Sequence, residues 1–305
     1  MTRLLLSTTF VALVVTASST AQNGVPRSAL PVPQTMRPLK PSALVRKGPP
    51  KTPDGQPDIQ GLWANGTAIF SLNIEPPSHL QTLGTPLAAG PLGANRTIVV
   101  DPPDGILPLQ PWALALRNKV MAEYRTPSPA LMDPQTRGWP DGVPRLHYYG
   151  TCNSTMGGPI QIVQSPDQVA FFYEVQHEFR IVPLGGRAHP GSEIRLWMGD
   201  SRGRWEGNTL VIDVTNHNDS TRFDVVGNFH SDEMRVTERW TAVDTDTLRY
   251  QATIDDSKVY TRPWTLEVTH KRCPAGVEMM EYAGVEGDKA VVEAAETRRL
   301  KNIDR

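Results

Sequence analysis

The sequence predicts a mainly β protein: a closed antiparallel meander barrel of lipocalin-like or calycin-like type, with a proline-rich N-terminal wrap and a few short helices. Three observations predict it. After Gly158 the chain is a series of β-branched and aromatic runs separated by Gly, Asp and Asn turns. The links between runs are short and carry no helical period, which favours consecutive hairpins, and a meander hides its edges by closing on itself. Of the 28 prolines, 23 lie at or before Pro159, which excludes long central strands from the first half.

The elements follow in order. Arg3, the apolar run Leu4 to Val15 and the small residues Ser19-Thr20-Ala21 have the layout of a signal peptide over 1–21, cleaved near Ala21. The run is too short to span a bilayer, so we expect a protein secreted to the periplasm or the medium, with no stable membrane insertion after cleavage. Residues 22–57 read as a flexible proline-rich leader. Residues 58–159 read as a wrapping segment, irregular except for a helix near 111–124, where Pro111 opens a repeat of Trp112, Leu116, Val120 and Tyr124. The barrel is expected over 160–287, with strands near 160–164, 168–182, 195–205, 209–216, 233–243, 247–255, 262–271 and 276–283. Residues 288–305 form a C-terminal helix with an apolar patch at Val291, Val292 and Ala295.

Composition narrows the partners. With 31 basic and 32 acidic side chains the net charge is -1, which excludes the basic face that nucleic acid requires. Cys152 and Cys273 are free to pair in an oxidising compartment. Asn65, Asn95, Asn153 and Asn218 begin N-x-S/T sequons, glycosylated only where the host performs that chemistry.

Strand alternation sorts the side chains. In Phe171 to Ile181 it puts Phe171, Tyr173, Val175, His177, Phe179 and Ile181 on the inner face and Arg180 on the outer one. In Met234 to Trp240 it puts Met234, Val236, Glu238 and Trp240 inside. The following strands turn Leu248, Tyr250, Ala252 and Ile254, then Trp264, Leu266, Val268 and His270, inward. Apolar walls with a few placed polar groups make the usual small-molecule pocket. Burial raises a carboxylate and lowers an imidazole, so His177 and Glu238 form a candidate proton-transfer pair. Each would otherwise be satisfied by a neighbouring strand. Tyr173, His217, Asn218, Trp240, Tyr250, Trp264 and His270 are the candidate substrate-binding residues, with His217 and Asn218 placed at a barrel mouth. The seven histidines show no metal-ligand spacing, and we expect no metal and no cofactor. Gly199-Asp200-Ser201-Arg202-Gly203 mimics a nucleophile elbow, but it sits in a hairpin rather than at a strand-to-helix turn.

Several motifs resemble those of an abundant group of secreted bacterial proteins. They are Thr52-Pro53-Asp54-Gly55-Gln56-Pro57-Asp58 with Gly61-Leu62-Trp63, Trp139-Pro140-Asp141-Gly142-Val143-Pro144-Arg145, and Gly203-Arg204-Trp205-Glu206-Gly207-Asn208-Thr209-Leu210. The resemblance implies secretion and carries over no activity. Where that group has cysteines this chain has Gly138 and Gly284, so it implies that Cys152 and Cys273 are a replacement bridge. The reading that follows is an enzyme without a redox cofactor, acting on a small hydrophobic or aromatic molecule by acid–base chemistry of the isomerase, cyclase, dehydratase or lyase type. The alternatives are a lipocalin-like carrier of such a molecule and an extracytoplasmic carbohydrate-binding module.

Overall fold

A computed structural model describes residues 49–65, 73–76, 78–79, 97–123, 128–148, 150–152, 158–282, 293 and 296–297, all within the unit Arg46–Arg305. The expected signal peptide, the leader up to residue 48, Tyr124, Asn95 and Asn153 lie outside the described residues. So does most of the expected C-terminal helix, of which Glu293, Glu296 and Thr297 are helical.

Ten strands form one antiparallel sheet: β1 (Gly61–Asn65), β2 (Val99–Asp101), β3 (Ile160–Gln164), β4 (Gln168–Tyr173), β5 (Phe179–Pro183), β6 (Asp200–Glu206), β7 (Thr209–Thr215), β8 (Arg235–Asp244), β9 (Thr247–Asp255) and β10 (Trp264–Arg272). Their order is β5-β4-β3-β1-β10-β9-β8-β7-β6, with β2 added at β10. The end strands β5 and β6 lie side by side without a shared ladder, so the sheet curls into a nearly closed barrel. Gly203 permits that approach: a Cβ there would stand 2.7 Å from Val182 Cγ1 and 2.8 Å from Leu184 Cδ2.

Alternation holds through β8, β9 and β10. Met234, Val236, Glu238 and Trp240 are buried, as are Leu248, Tyr250, Ala252, Ile254, Trp264, Leu266, Val268 and His270. Each fully buried large apolar side chain contributes about 1.5–3 kcal/mol. The core also takes in Ile59, Trp63, Ile98, Leu107, Ala113, Leu146 and Tyr148 from the proline-rich half, which therefore packs on the barrel rather than forming a core of its own.

Four expectations are corrected. The single strand expected at 168–182 is a hairpin, because Gln176 and His177 adopt φ of 57° and 54° and reverse the chain between β4 and β5. The proline-rich half supplies two strands, and β1 stands in mid-sheet between β3 and β10; at five residues it fits between the prolines. The strand expected at 195–205 starts only at Asp200, and within 276–282 no ladder forms beyond an isolated bridge of Val175 with Tyr282. Finally, the helix α1 (Pro111–Ala122) buries Ala113, Arg117, Val120 and Met121 and leaves Trp112 and Leu116 outside. The ion pair of Arg117 with the buried Glu75, at 2.5 Å, sets that rotation against the apolar stripe. Asn65 is buried within β1, so the folded chain has no room for a glycan there.

Cys152 and Cys273 form a disulfide across a sequence separation of 121 residues. It joins the wrap to the end of β10, and it points to an oxidising compartment outside the cytoplasm. Among the described residues no helix is long and apolar enough to cross a membrane.

The seam is testable with glycines alone. Gly203→Ala is expected to destabilise by about 1–3 kcal/mol through overpacking. Gly185→Ala, where an added Cβ meets nothing within 4 Å, should stay within about 0.5 kcal/mol of wild type. Equal denaturation midpoints for the two variants would refute close contact of β5 and β6.

Candidate functional site

Glu238 projects from β8 into the barrel, where its cross-strand neighbour on β9 is Ala252, the smallest inward side chain of that strand. The space beside it is filled by polar groups. Arg180 Nη1 donates to Glu238 Oε2 at 2.6 Å, and the Tyr250 hydroxyl donates to Oε1 at 2.8 Å. His147 Nε2 stands 3.0 Å from the same Oε1. Arg180, Glu238, Tyr250, Tyr173 and His147 are all buried.

The barrel does not supply His147; the wrap does. A short 3-10 helix, Arg145–Tyr148, carries the imidazole inward, and its entry is fixed by the Trp139-to-Arg145 motif. Gly142 turns the chain at φ 74° with no room for a Cβ, which would lie 2.8 Å from Thr221 Oγ1. Arg145 grips both carboxylate oxygens of Asp133, at 2.9 and 2.8 Å, and reaches Asp141 at 3.4 Å. From the barrel side, His270 Nε2 donates to the His147 carbonyl at 2.8 Å, and the Tyr148 hydroxyl donates to the Phe223 carbonyl.

Charge decides the tautomer. Burial alone would raise Glu238, but the charge of Arg180 together with the His147 hydrogen bond outweighs it and holds the carboxyl down to about 2. Burial lowers His147 from 6.5 to about 4 against the pull of Glu238, so at neutral pH the imidazole is uncharged and Arg180 supplies the opposing charge. An ionised carboxylate only accepts, so Nε2 carries the ring proton and donates it to Glu238. Arg180 Nη2 at 3.3 Å and the Tyr173 oxygen at 3.5 Å from that nitrogen are then packing contacts. Burial pushes the hydroxyls of Tyr173 and Tyr250 up, and both stay protonated.

This leaves Nδ1 of His147 with a lone pair and no hydrogen-bond partner among the described residues. The ring packs against Tyr250 at 4.6 Å, Trp240 at 4.9 Å, Tyr173 at 5.4 Å and Phe171 at 5.9 Å between centroids. A buried acceptor left unpaired costs about 1–3 kcal/mol. The arrangement is a carboxylate holding one nitrogen of an imidazole so that the other is presented as a base in apolar surroundings.

Of the residues expected to form the site, Glu238, Tyr173, Tyr250, Trp240 and His270 meet around His147. Trp264 and His217 are buried in a second cluster: Trp264 packs on Phe223 at 5.1 Å, and His217 on His230 at 5.8 Å. Asn218 is half-buried and accepts from the Ser220 amide at 3.1 Å. His177 is exposed on the β4–β5 turn and takes no part. The turn that expels it shifts the alternation by one, so Arg180 faces inward instead. His147 and Arg180 escaped the sequence reading as site residues, although His147 lies two residues after Arg145 of the Trp139-to-Arg145 motif. Among the described residues no group of three or more His, Cys, Asp or Glu side chains is placed to hold a metal ion.

Two outcomes test the electrostatics. Glu238→Gln strands the buried Arg180 charge and should cost about 3–5 kcal/mol, whereas the double replacement Arg180→Met with Glu238→Leu should be close to neutral; urea denaturation that ranks the double variant below the single one would contradict the buried pair. The second concerns acid. Folded values of about 4 for His147 and about 3 for His217 and His270, all lowered chiefly by burial, lie below the ordinary 6.5. Between those limits the unfolded chain binds more protons, so stability is lost as the pH falls, by about 1.4 kcal/mol per unit for each group. Asp224, raised by burial to about 6 from 3.8, acts in the opposite sense as one group against three. Denaturation midpoints should therefore drop from pH 6.5 to pH 4, and a flat profile would rule out neutral buried histidines.

Comparison with protein-family models, with curated proteins and with solved structures gave no match to this chain.

Proposed function

We propose that the protein is an enzyme acting by acid–base chemistry on a small hydrophobic or aromatic molecule, with His147 Nδ1 as the base and Glu238 as its orienting carboxylate. The observation that carries this reading is the 3.0 Å contact between His147 Nε2 and Glu238, which leaves the opposite nitrogen unpartnered among aromatic rings. A base of this kind removes a proton from carbon or oxygen and returns it elsewhere, the step shared by isomerases, cyclases, dehydratases and lyases. Arg180 and Tyr250 keep the carboxylate charged, so Glu238 offsets part of the burial that works against the imidazolium formed on proton uptake. Glu238, expected to exchange protons with His177, here orients the imidazole, and His147 takes the place expected of His177.

Secretion by cleavage near Ala21 belongs to the same proposal and is supported by the disulfide and by the motif resemblance. A second reading, a non-catalytic lipocalin-like carrier, is favoured by the burial of the whole network, since enclosure slows ligand release. The tryptophans give less support to a sugar-binding face. Trp240 is buried, and Trp139 and Trp197 meet each other edge to face with Arg137 lying 3.7 Å over Trp139.

The test is turnover of a library of apolar and aromatic small molecules in deuterated water, read by mass spectrometry for products and incorporated deuterium. His147→Gln keeps a donor for Glu238 but removes the base, and should slow conversion by about 10²–10⁴ with the circular dichroism unchanged. Conversion at the wild-type rate in that variant would defeat the proposal, and a molecule retained unaltered would favour the carrier.

A further inference from the structure

The interior holds polar atoms that the proposed proton transfer does not use. Trp240 Nε1, Trp264 Nε1 and Arg180 Nε are N–H groups without a partner among the described residues. His270 Nδ1 is an unmet acceptor, because Nε2 is the donor to His147. His217 is the extreme case: its side chain is fully buried, and neither ring nitrogen has a partner among the described residues. Native interiors leave few such atoms, and here they belong to one barrel.

His217 is brought inside by design of the backbone. β7 ends at Thr215, and Asn216 turns the chain at φ 60°. The Asn216 side-chain amide donates to the Gly191 carbonyl at 2.9 Å and the Ile194 carbonyl at 3.0 Å. The β5–β6 loop thus lies over His217, and Gly199 of that loop comes so close that a Cβ would be 2.7 Å from His217 Cε1. His230 cannot answer the unmet nitrogens. Its Nδ1 donates to the Ser231 carbonyl at 2.9 Å, and its Nε2 accepts from the Thr221 hydroxyl at 2.6 Å. Burial lowers His217 to about 3, so it offers one N–H and one lone pair.

We infer that the barrel interior binds an aromatic molecule carrying a hydroxyl group, and that His217 is the residue that meets the hydroxyl. The inference rests on the reading of the interior as a ligand site and goes further by fixing the ligand's chemistry. One hydroxyl can donate to the lone pair or accept from the N–H of a neutral imidazole, meeting whichever nitrogen faces it. A hydrocarbon would leave both nitrogens unmet, and a carboxylate or an ammonium would bring a charge beside a neutral, fully buried ring. His217 packs on His230 at 5.8 Å, His230 on Phe223 at 5.6 Å and Phe223 on Trp264 at 5.1 Å, so the rings of Phe223 and Trp264 offer apolar surface beyond His230.

The experiment compares 2-naphthol with naphthalene on the full disulfide-bonded protein, by quenching of tryptophan fluorescence. Wild type should bind 2-naphthol about tenfold more tightly, and His217→Phe should bring the two probes to within about twofold while leaving the affinity for naphthalene unchanged. The same variant, relieved of two unmet polar atoms, should melt about 3 °C higher without ligand. A measurement on wild type needs no variant: the ring nitrogen resonances of His217 should shift with 2-naphthol and not with naphthalene. Equal affinities, no binding of either probe, a preference that survives His217→Phe, or unmoved His217 resonances would each overturn the inference. His147→Gln separates it from the acid–base reading, because that variant should lose turnover and keep the preference for 2-naphthol.

Discussion

An ion pair sealed inside the barrel, Arg180 with Glu238, constrains everything around it. Neither charge tolerates the apolar interior alone, and together they recruit what surrounds them: the Tyr250 hydroxyl on one carboxylate oxygen, His147 on the same oxygen, and Ala252 as the space in which the guanidinium and carboxylate meet. Glu238 comes from the well-formed meander β6–β10, Arg180 from the hairpin β4–β5, and His147 from the wrap. A hairpin and a meander that share no ladder with each other, and a 3-10 turn that belongs to no strand, are therefore tied at one point, which makes the network as much a statement about topology as about chemistry.

Much of the barrel was legible because alternation is a local rule. Met234 to Trp240, Leu248 to Ile254 and Trp264 to His270 follow it residue by residue, and the hairpin turns are written in Gly, Asp and Asn. The misreadings have physical causes. Gln176 and His177 take left-handed backbone that their side chains do not advertise, so the turn was invisible and every inward assignment after it slipped by one. β1 is short enough to fit between prolines, and its partners are distant in sequence. Helix α1 rotates to satisfy Arg117 with Glu75, a pairing across a 42-residue separation that no helical period reveals.

The site was legible by halves for the same reason. Glu238, Tyr250, Trp240 and His270 lie on regular strands and could be sorted by parity. His147 lies on a 3-10 turn within a motif whose role emerges only in three dimensions: Gly142 clears Thr221, Arg145 fastens to Asp133 and Asp141, and the imidazole is delivered two residues later. The Trp139-to-Arg145 motif is thus a mount for a side chain in the barrel rather than a site in its own right.

The disulfide gives this mount a history. Cys152 follows His147 by five residues, and Cys273 follows His270, the donor to the His147 carbonyl, by three. The covalent link therefore runs alongside the hydrogen bond that seats the plug. In reducing surroundings that plug is retained by non-covalent contacts alone; once the thiols oxidise it is anchored to β10. Completion of the centre is in this way coupled to oxidation of the two thiols, and the reduced chain carries the barrel without its final fastening.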